Sequence, residues 1–415
     1  MNAEIITIGN EILIGQITDT NTTFIAEQLT LNGIQVSNTQ TVPDARRSII
    51  NAINLAISRA GLVIITGGLG PTNDDITKKT LCEFFETELI INEEVLADVK
   101  NLILRRSKTI NESNRKQAEV PKSAVVLRNT VGTAPGLWLE KNHVIVVALP
   151  GVPFEMKYLM LNEVLPRIKK NFNLPFIVHK TINTYGMPES SLSEKLADWE
   201  KNLNEKMELA YLPSPKGIKL RLTYVGKQKN VLENAVNEQV EKLKLIIPEL
   251  IFGYGETTLE NAVAELLISQ GKTVATAESC TGGYIAHLLT SISGSSAFFK
   301  GSVVAYANSV KEDVLHVSKE NITNYGAVSE AVVKEMALQA KKMMNTDFAI
   351  ATSGIAGPDG GTADKPVGTV WIAVATDNEV IARLHNFFVL REINIMHAAS
   401  SALNMLRIKL LENKQ

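Results

Sequence analysis

Short apolar runs alternate with segments of helical period along the first part of the chain. AEIITIG reads as a strand, TNTTFIAEQLTLNG as a helix with Gly33 placed to follow its end, and VSNTQTV as a second strand. DARRSIINAINLAISRAG sets Ile49, Ile50, Ile53 and Ile57 on one helical face, with Asp44 as the expected N-cap. LVIITGG and HVIVVALPG are continuous apolar runs of the kind that fill buried strands, and DITKKTLCEFF starts a further helix. Repeated βα units predict a mostly parallel sheet with helices on both faces.

The pattern changes after LPRIKKNFNLPF. IVHKTINTYG, ESSLSEKLADWEKNL, ELAYLP, GIKLRLTYVG and VLENAVNEQVEKLKLII read β-α-β-β-α, a small α+β domain over 174–250, and IFGYGETT reads as a linker. From Thr257 a further α/β pattern begins. Thr257 and Glu260 suit a capping box, and Leu259, Val263, Leu266 and Leu267 form a helical stripe. KTVATA, GSVVAY, DFAIATSG, GTVWIAVAT and VIARLHNFFVL are its expected strands. The expected organisation is therefore α/β multidomain, with regions 1–170, 174–250 and 256–415.

Composition narrows the partners. In 415 residues the net charge is −2, so there is no global basic field for nonspecific nucleic-acid binding. The start, MNAEIITIGNEILIG, lacks a basic n-region, and runs such as VIVVALPGVPF fall far short of a membrane span. Two cysteines, Cys82 and Cys280, cannot build a disulfide framework or a zinc cage alone. A cytoplasmic location is expected.

The densest candidate chemistry is TAESCTGG, which sets Ser279 and Cys280 at a strand end, followed by Thr281, Gly282, Gly283 and a new helix. Glycines permit positive φ and close approach, and a helix start offers free N–H groups, which suits an anion or an oxyanion. It also suits a plain turn, and the octapeptide alone leaves open which side chain is a nucleophile. AYANSVK adds Tyr306 and Lys311 after a strand. ATSGIAGPDGGTADKPVG, with Thr352, Ser353, Gly354 and Gly357, is long for a βα connection, and FFVLRE adds Arg391 at a strand-to-helix junction. Each has a bland counterpart: Cys280 and His287 as packing residues, Tyr306 as a core aromatic, Arg391 as a salt-bridge partner.

TAESCTGG, AYANSVK and SGIAGPDGGTADKPVGTV together resemble the C-terminal domain of the CinA family, the nicotinamide-nucleotide amidases, over about 256–412. The resemblance implies hydrolysis of nicotinamide mononucleotide to nicotinate mononucleotide and ammonia, without a cofactor. Ser279 is then the nucleophile, assisted by Lys311 and Tyr306, with Thr352 and Arg391 in the active-site region. One departure is that Gly301 and Ser302 stand where the family often has two glycines. A lysine base must be neutral to accept a proton, so Lys311 must be held well below its ordinary value of roughly 10.4.

A second density is TGGLGPTNDDIT, in which Gly67, Gly68 and Gly70 precede Asp74 and Asp75. A glycine loop can surround phosphates, and adjacent aspartates can hold a hard divalent cation or, more plainly, cap the following helix. The stretch resembles the molybdopterin-binding fold of molybdenum-cofactor biosynthesis. GNEILIGQITDTNT, NRKQAEVP, GTAPG and ALPGVPFEM make 1–170 similar to the N-terminal half of CinA-like proteins. That implies metal-dependent hydrolysis of ADP-ribose to AMP and ribose 5-phosphate. The metal or phosphate candidates are Glu11, Asp19, Asp74 and Asp75, with Asn114, Gly132, Pro150 and Gly151 lining the pocket. Fold alone does not choose between pterin and ADP-ribose.

The middle region resembles the KH-type module that this family carries between its halves. It lacks the GXXG loop that clamps RNA, since SPKG has one glycine, so a spacer or dimerisation role is expected and nucleic acid is not. The combined expectation is a homodimeric two-activity nucleotide hydrolase. Its rival is a nucleotide- or pterin-binding regulatory protein, linked to competence or DNA damage, that has lost one or both activities.

Overall fold

A computed structural model describes residues 1–72, 75–104, 112–387 and 390–412. The chain forms two compact units, Met1–Val178 with Tyr224–Glu233, and His179–Thr223 with Asn234–Gln415.

In the first unit, strands β1 (Asn2–Ile8), β2 (Gln35–Val42) and β3 (Leu62–Thr66) are followed by a two-stranded ribbon, β4 (Leu89–Ile91) and β5 (Glu119–Pro121). β6 (Val125–Leu127), β7 (Gly136–Lys141) and β8 (Val144–Leu149) complete a six-stranded sheet in the order β2-β1-β3-β8-β7-β6. The β2-β1-β3-β8 half is parallel, while β7 and β6 are antiparallel additions. Alternation along each strand feeds two cores. Ile5, Ile64 and Val147 meet Ile25 and Leu29 of the helix Thr20–Leu31 on one face, and Ile6, Ile65 and Val146 meet Ile49 and Ile53 of the helix Arg46–Ile57 on the other. Each fully buried Ile or Leu contributes about 1.5–3 kcal/mol, so a double-faced sheet is the stable arrangement for these unbroken apolar strands. Asp44 does not cap the helix after it. Ala45 holds that position, and the Asp44 carboxylate accepts the Asn10 N–H at 3.1 Å.

The KH-like region comprises β9 (Phe176–Thr184), β10 (Met207–Ser214), β11 (Gly217–Gly226) and β12 (Ile251–Tyr254), in the order β10-β11-β9-β12. Its helices are Glu189–Lys201 and Lys229–Ile246. The segment expected as a linker is thus partly a strand: β12 pairs antiparallel with β9, with a register shift between Ile251 and Gly253 that hides its period in the sequence.

The C-terminal sheet runs β14-β13-β15-β16-β17, from β13 (Val274–Glu278), β14 (Phe299–Val304), β15 (Phe348–Gly354), β16 (Thr369–Ala375) and β17 (Val380–Asn386). The helices Leu259–Gln270 and Arg391–Glu412 pack on one face, and Glu330–Met344 on the other. The capping box lies one residue beyond its expected place, with Thr258 as N-cap and Asn261 as its reciprocal partner. β15 and β16 are antiparallel neighbours, so the long glycine loop between them is an expanded hairpin connection and not a βα loop. No helix among the described residues is long and apolar enough to cross a membrane.

Candidate active sites

β13 pairs in parallel with β14 on one side and β15 on the other. In an open α/β sheet such a switch of direction leaves a crevice at the carboxyl ends of the strands. Ser279 is the first residue past β13, and its N–H donates to the Thr352 carbonyl at 3.0 Å. The chain then turns sharply, with Gly282 and Gly283 at φ 61 and 93, a region costly for other residues.

The helix Tyr284–Thr290 that follows does not offer its N-terminus to a ligand, as the sequence suggested. The fully buried Glu278 carboxylate accepts the N–H groups of Gly283 at 3.1 Å, Ile285 at 3.0 Å and Ala286 at 2.8 Å. An internal anion thus occupies the helix start and fixes the turn that carries Ser279. No backbone carbonyl among the described residues accepts the N–H groups of Cys280 and Thr281.

Lys311 comes from the short helix Asn308–Asp313 and is only 1% exposed. Its Nζ lies 3.1 Å from Ser279 Oγ and donates to the carbonyls of Ala305 at 2.8 Å and Tyr306 at 3.3 Å. Burial pushes its amine below the ordinary lysine value, with Cys280 opposing this in part and no carboxylate among the described residues doing so. The 3.1 Å separation would also suit a neutral amine, whose two N–H groups would go to the carbonyls and leave its lone pair for the serine hydroxyl. Cys280 is buried, and desolvation pushes its thiol up to about 12, which keeps it protonated and unreactive.

A cavity of about 190 Å³ opens over this pair. Ser279, Lys311, Tyr306, Ser353, Gly354 and Arg391 line it. Tyr306 is 61% exposed, which removes its reading as a core aromatic. Arg391 opens the last helix with no salt bridge among the described residues, donating to the Gly357 carbonyl at 2.6 Å and to Tyr306 Oη at 3.2 Å. Thr281 and Thr352 stand behind the cavity, bonded hydroxyl to hydroxyl at 2.7 Å, and Gly282 and Gly283 shape the turn without lining it. Ser353 donates to the Ala327 carbonyl at 2.7 Å. Asn308, Ala327 and Val328 also line the cavity and were not singled out from the sequence, although Asn308 lies inside AYANSVK. His287 is exposed, stacked on Tyr284, and is not a core residue. Ser302, at the departure from the family pattern, has a buried hydroxyl with no partner among the described residues.

In the first unit a cavity of about 360 Å³ lies at the carboxyl ends of β1, β3 and β8. Gly67, Gly68, Gly70, Pro150 and Gly151 line it, with Glu11 and Asp75. A Cβ on Gly67, at φ 113, would fall 2.2 Å from the Ile8 carbonyl oxygen, so β1 and β3 approach each other here only through glycine. Asp75 accepts from the Thr72 N–H at 2.9 Å and from the Thr72 hydroxyl, closing the loop; it does not cap the helix Thr77–Phe84, whose N-cap is Ile76. Asp74 lies outside the described residues.

Asp19 departs from its expected role. Its carboxylate caps the helix Thr20–Leu31, accepting from the Thr22 N–H at 2.9 Å and the Thr7 hydroxyl at 2.8 Å, and it does not line the cavity. Asn114 and Gly132 do not line it either. Asn114 sits one turn before Gln117, which does, and Gly132 packs against the Glu155 carboxylate beside Thr133. Asp44 and Glu155 add two further carboxylates to the wall, and no lysine or arginine among the described residues lines it. The sequence reading also missed Lys78, which is 7% exposed, donates to the Gln117 carbonyl at 3.0 Å, and is lowered to about 8 by burial, against the opposing pull of Glu119 and Asp75.

A divalent cation suits this wall in its donor chemistry, since hard cations take carboxylate oxygens. Among the described residues no three His, Cys, Asp or Glu side chains converge to enclose one. Such a cation would take one or two protein ligands, Asp75 and Glu11, and complete its shell elsewhere.

The CinA C-terminal domain matches residues 256–410, a probable molybdopterin binding domain 4–170, and the damage-inducible protein CinA KH domain 179–253. A CinA-like protein of Flavobacterium psychrophilum is 50% identical over 415 residues, covering 100% of this chain and 99% of its own. One of Cytophaga hutchinsonii is 48% identical over 412 residues, covering 99% of each. A CinA superfamily crystal structure from Klebsiella pneumoniae is 37% identical, covers 37% of this chain and 96% of its own, and has a TM-score of 0.36.

Proposed function

The chain belongs to the CinA family, and from that premise we propose that it is a two-activity nucleotide hydrolase, deamidating nicotinamide mononucleotide in its C-terminal domain and cleaving ADP-ribose in its N-terminal domain. The observation that carries the first activity is the 3.1 Å contact of Lys311 Nζ with Ser279 Oγ, made by a buried lysine whose remaining bonds are to carbonyls.

In the proposed reaction Ser279 Oγ attacks the carboxamide carbon as its proton passes to Lys311 Nζ. The oxyanion takes the N–H groups of Cys280 and Thr281. Lys311 returns the proton to the amide nitrogen, and ammonia leaves as the C–N bond breaks. Water, deprotonated by the same amine, then attacks the ester, releasing nicotinate mononucleotide and restoring the serine. Arg391 supplies a cation for the substrate phosphate, and its bond to Tyr306 Oη holds that ring at the cavity mouth. The test is release of ammonia and nicotinate mononucleotide by the purified protein, with Ser279→Ala as control.

For the N-terminal domain, the glycine-built wall with Asp75 and Glu11 supports diphosphate hydrolysis. A bound divalent cation would neutralise the diphosphate charge there. Asp75 would hold it, and the Gly67–Gly70 backbone would follow the phosphates. The test is AMP and ribose 5-phosphate production from ADP-ribose with and without chelator.

The rival, a regulatory nucleotide-binding protein, is favoured by nothing at Ser279. A binding protein has no use for a desolvated lysine held against a hydroxyl at a cost in stability.

A further inference from the structure

A second cavity of the second unit shares no lining residue with the one over Ser279. It holds about 600 Å³, against about 190 Å³ over Ser279. Its walls come from the turn after β9, the tip of the β10–β11 hairpin, the end of β17 and the last helix. Met187, Pro188, Pro213, Leu250, Met405 and Ile408 make much of it apolar. Pockets of this size and character hold small organic molecules.

Three features specify the guest. First, His385, Phe387 and His397 form a column of near-parallel rings, with centroids 5.5 and 5.4 Å apart and interplanar angles of 17° at both steps. Near-parallel, offset rings favour a flat aromatic guest. Second, the buried Nε2 of His385 has no hydrogen-bond partner among the described residues, and a turn of the ring toward the cavity would offer it to a guest's polar group. Burial lowers both His385 and His397 from the ordinary histidine value, so this nitrogen belongs to a neutral ring. Third, Arg383 lines the same cavity, two residues before His385 on β17, and makes no ion pair among the described residues. Two carboxylates, Glu189 and Glu249, line the KH-like side, and Glu249 is within 3.4 Å of Lys195. Charge is thus arranged to receive one anionic group at β17 and to disfavour a second at the other wall.

The cavity is also built rigidly. Tyr185 Oη and Ser401 Oγ are 2.9 Å apart on its wall. The buried Arg407 donates to the carbonyls of Ile251 and Glu249 and, at 3.0 Å, to Asn404 Oδ1. We propose that this cavity is a binding site for a planar aromatic small molecule carrying a single anionic group, with the ring against the His385–Phe387–His397 column and the anion on Arg383. The proposal is independent of either hydrolytic activity.

The test uses 1-anilinonaphthalene-8-sulfonate, a flat aromatic monoanion, titrated into the folded full-length protein. Its uncharged counterpart, N-phenyl-1-naphthylamine, serves as the second arm. The site requires saturable one-to-one binding of the sulfonate, weakened about tenfold in Arg383→Ala and largely kept in Arg383→Lys, as expected for loss of one charge-assisted contact. The uncharged probe should bind Arg383→Ala and wild type alike. Arg383 is exposed, so its variants leave the fold intact, which a melting curve checks. The ring resonances of His385 and His397, assigned through His385→Gln and His397→Gln, should move on adding the sulfonate. Equal sulfonate affinity in Arg383→Ala and wild type would overturn the proposal, as would unmoved resonances of both histidines or binding without saturation.

Discussion

Lys311 Nζ sits 3.1 Å from Ser279 Oγ while the carbonyls of Ala305 and Tyr306 take its other bonds. Removing the serine therefore removes the only hydroxyl that this amine addresses among the described residues. Ser279→Ala is expected to lower deamidation kcat by at least about 10³-fold, since members of one catalytic unit fail together. Cys280→Ala should cost far less, through packing alone. Rapid inactivation of the wild type by a thiol reagent, with Cys280→Ala spared, would reverse the two assignments.

The same lysine sets the pH dependence. Its lowered value means that kcat/KM rises with pH through an ionisation below the ordinary roughly 10.4. Lys311→Arg keeps a charge but cannot deprotonate, so it should be as inactive as Lys311→Ala. Stability carries a matching signature. Between the folded and unfolded values the unfolded chain binds more protons, so the wild type gains stability with rising pH across that window. Lys311→Met lacks this gain. Denaturant midpoints of both proteins from pH 6 to 10 should diverge in favour of the wild type as pH rises, and parallel curves would contradict a lysine with a lowered value.

Glu278 tests whether the turn is held from within. Glu278→Gln presents an NH₂ to N–H groups that now find a carboxylate, leaving at least one buried donor unpaired. The expected loss is about 1–3 kcal/mol of stability. A fall in deamidation kcat should persist well below the melting temperature, because Ser279 is the next residue. A variant with normal stability and normal kcat would show that the carboxylate does not position the serine.

How much of this was legible in the sequence differs by region. The parallel strands were readable because a strand buried on both faces is an unbroken apolar run, as LVIITGG and HVIVVALPG are. β12 was not, because Gly253 and a register shift break its period. Ser279, Tyr306, Lys311 and Arg391 were all singled out, and they line one cavity. Glu278 was passed over because in a one-dimensional reading a carboxylate ahead of a serine looks like a surface charge. Only the fold shows its oxygens on three amides of the next helix. Asp19 erred the other way: an acid in a dense motif read as a ligand, while its place directly before a helix made it a cap.

The N-terminal domain predicts independence of function. Asp75→Asn should abolish ADP-ribose cleavage and leave nicotinamide mononucleotide deamidation within about twofold, as surface changes away from a site usually do. A chelator should have the same selective effect on the wild type. ADP-ribose hydrolysis undiminished in excess chelator would contradict a cation-assisted reaction at this wall.

The most direct measurement incubates the purified full-length protein with nicotinamide mononucleotide and quantifies ammonia and nicotinate mononucleotide together, beside Ser279→Ala and Lys311→Met. The Ser279–Lys311 geometry predicts equal amounts of both products from the wild type and about a thousandfold less from either variant. Absence of both products from the folded wild type across pH 6 to 10, or wild-type release by either variant, would contradict it.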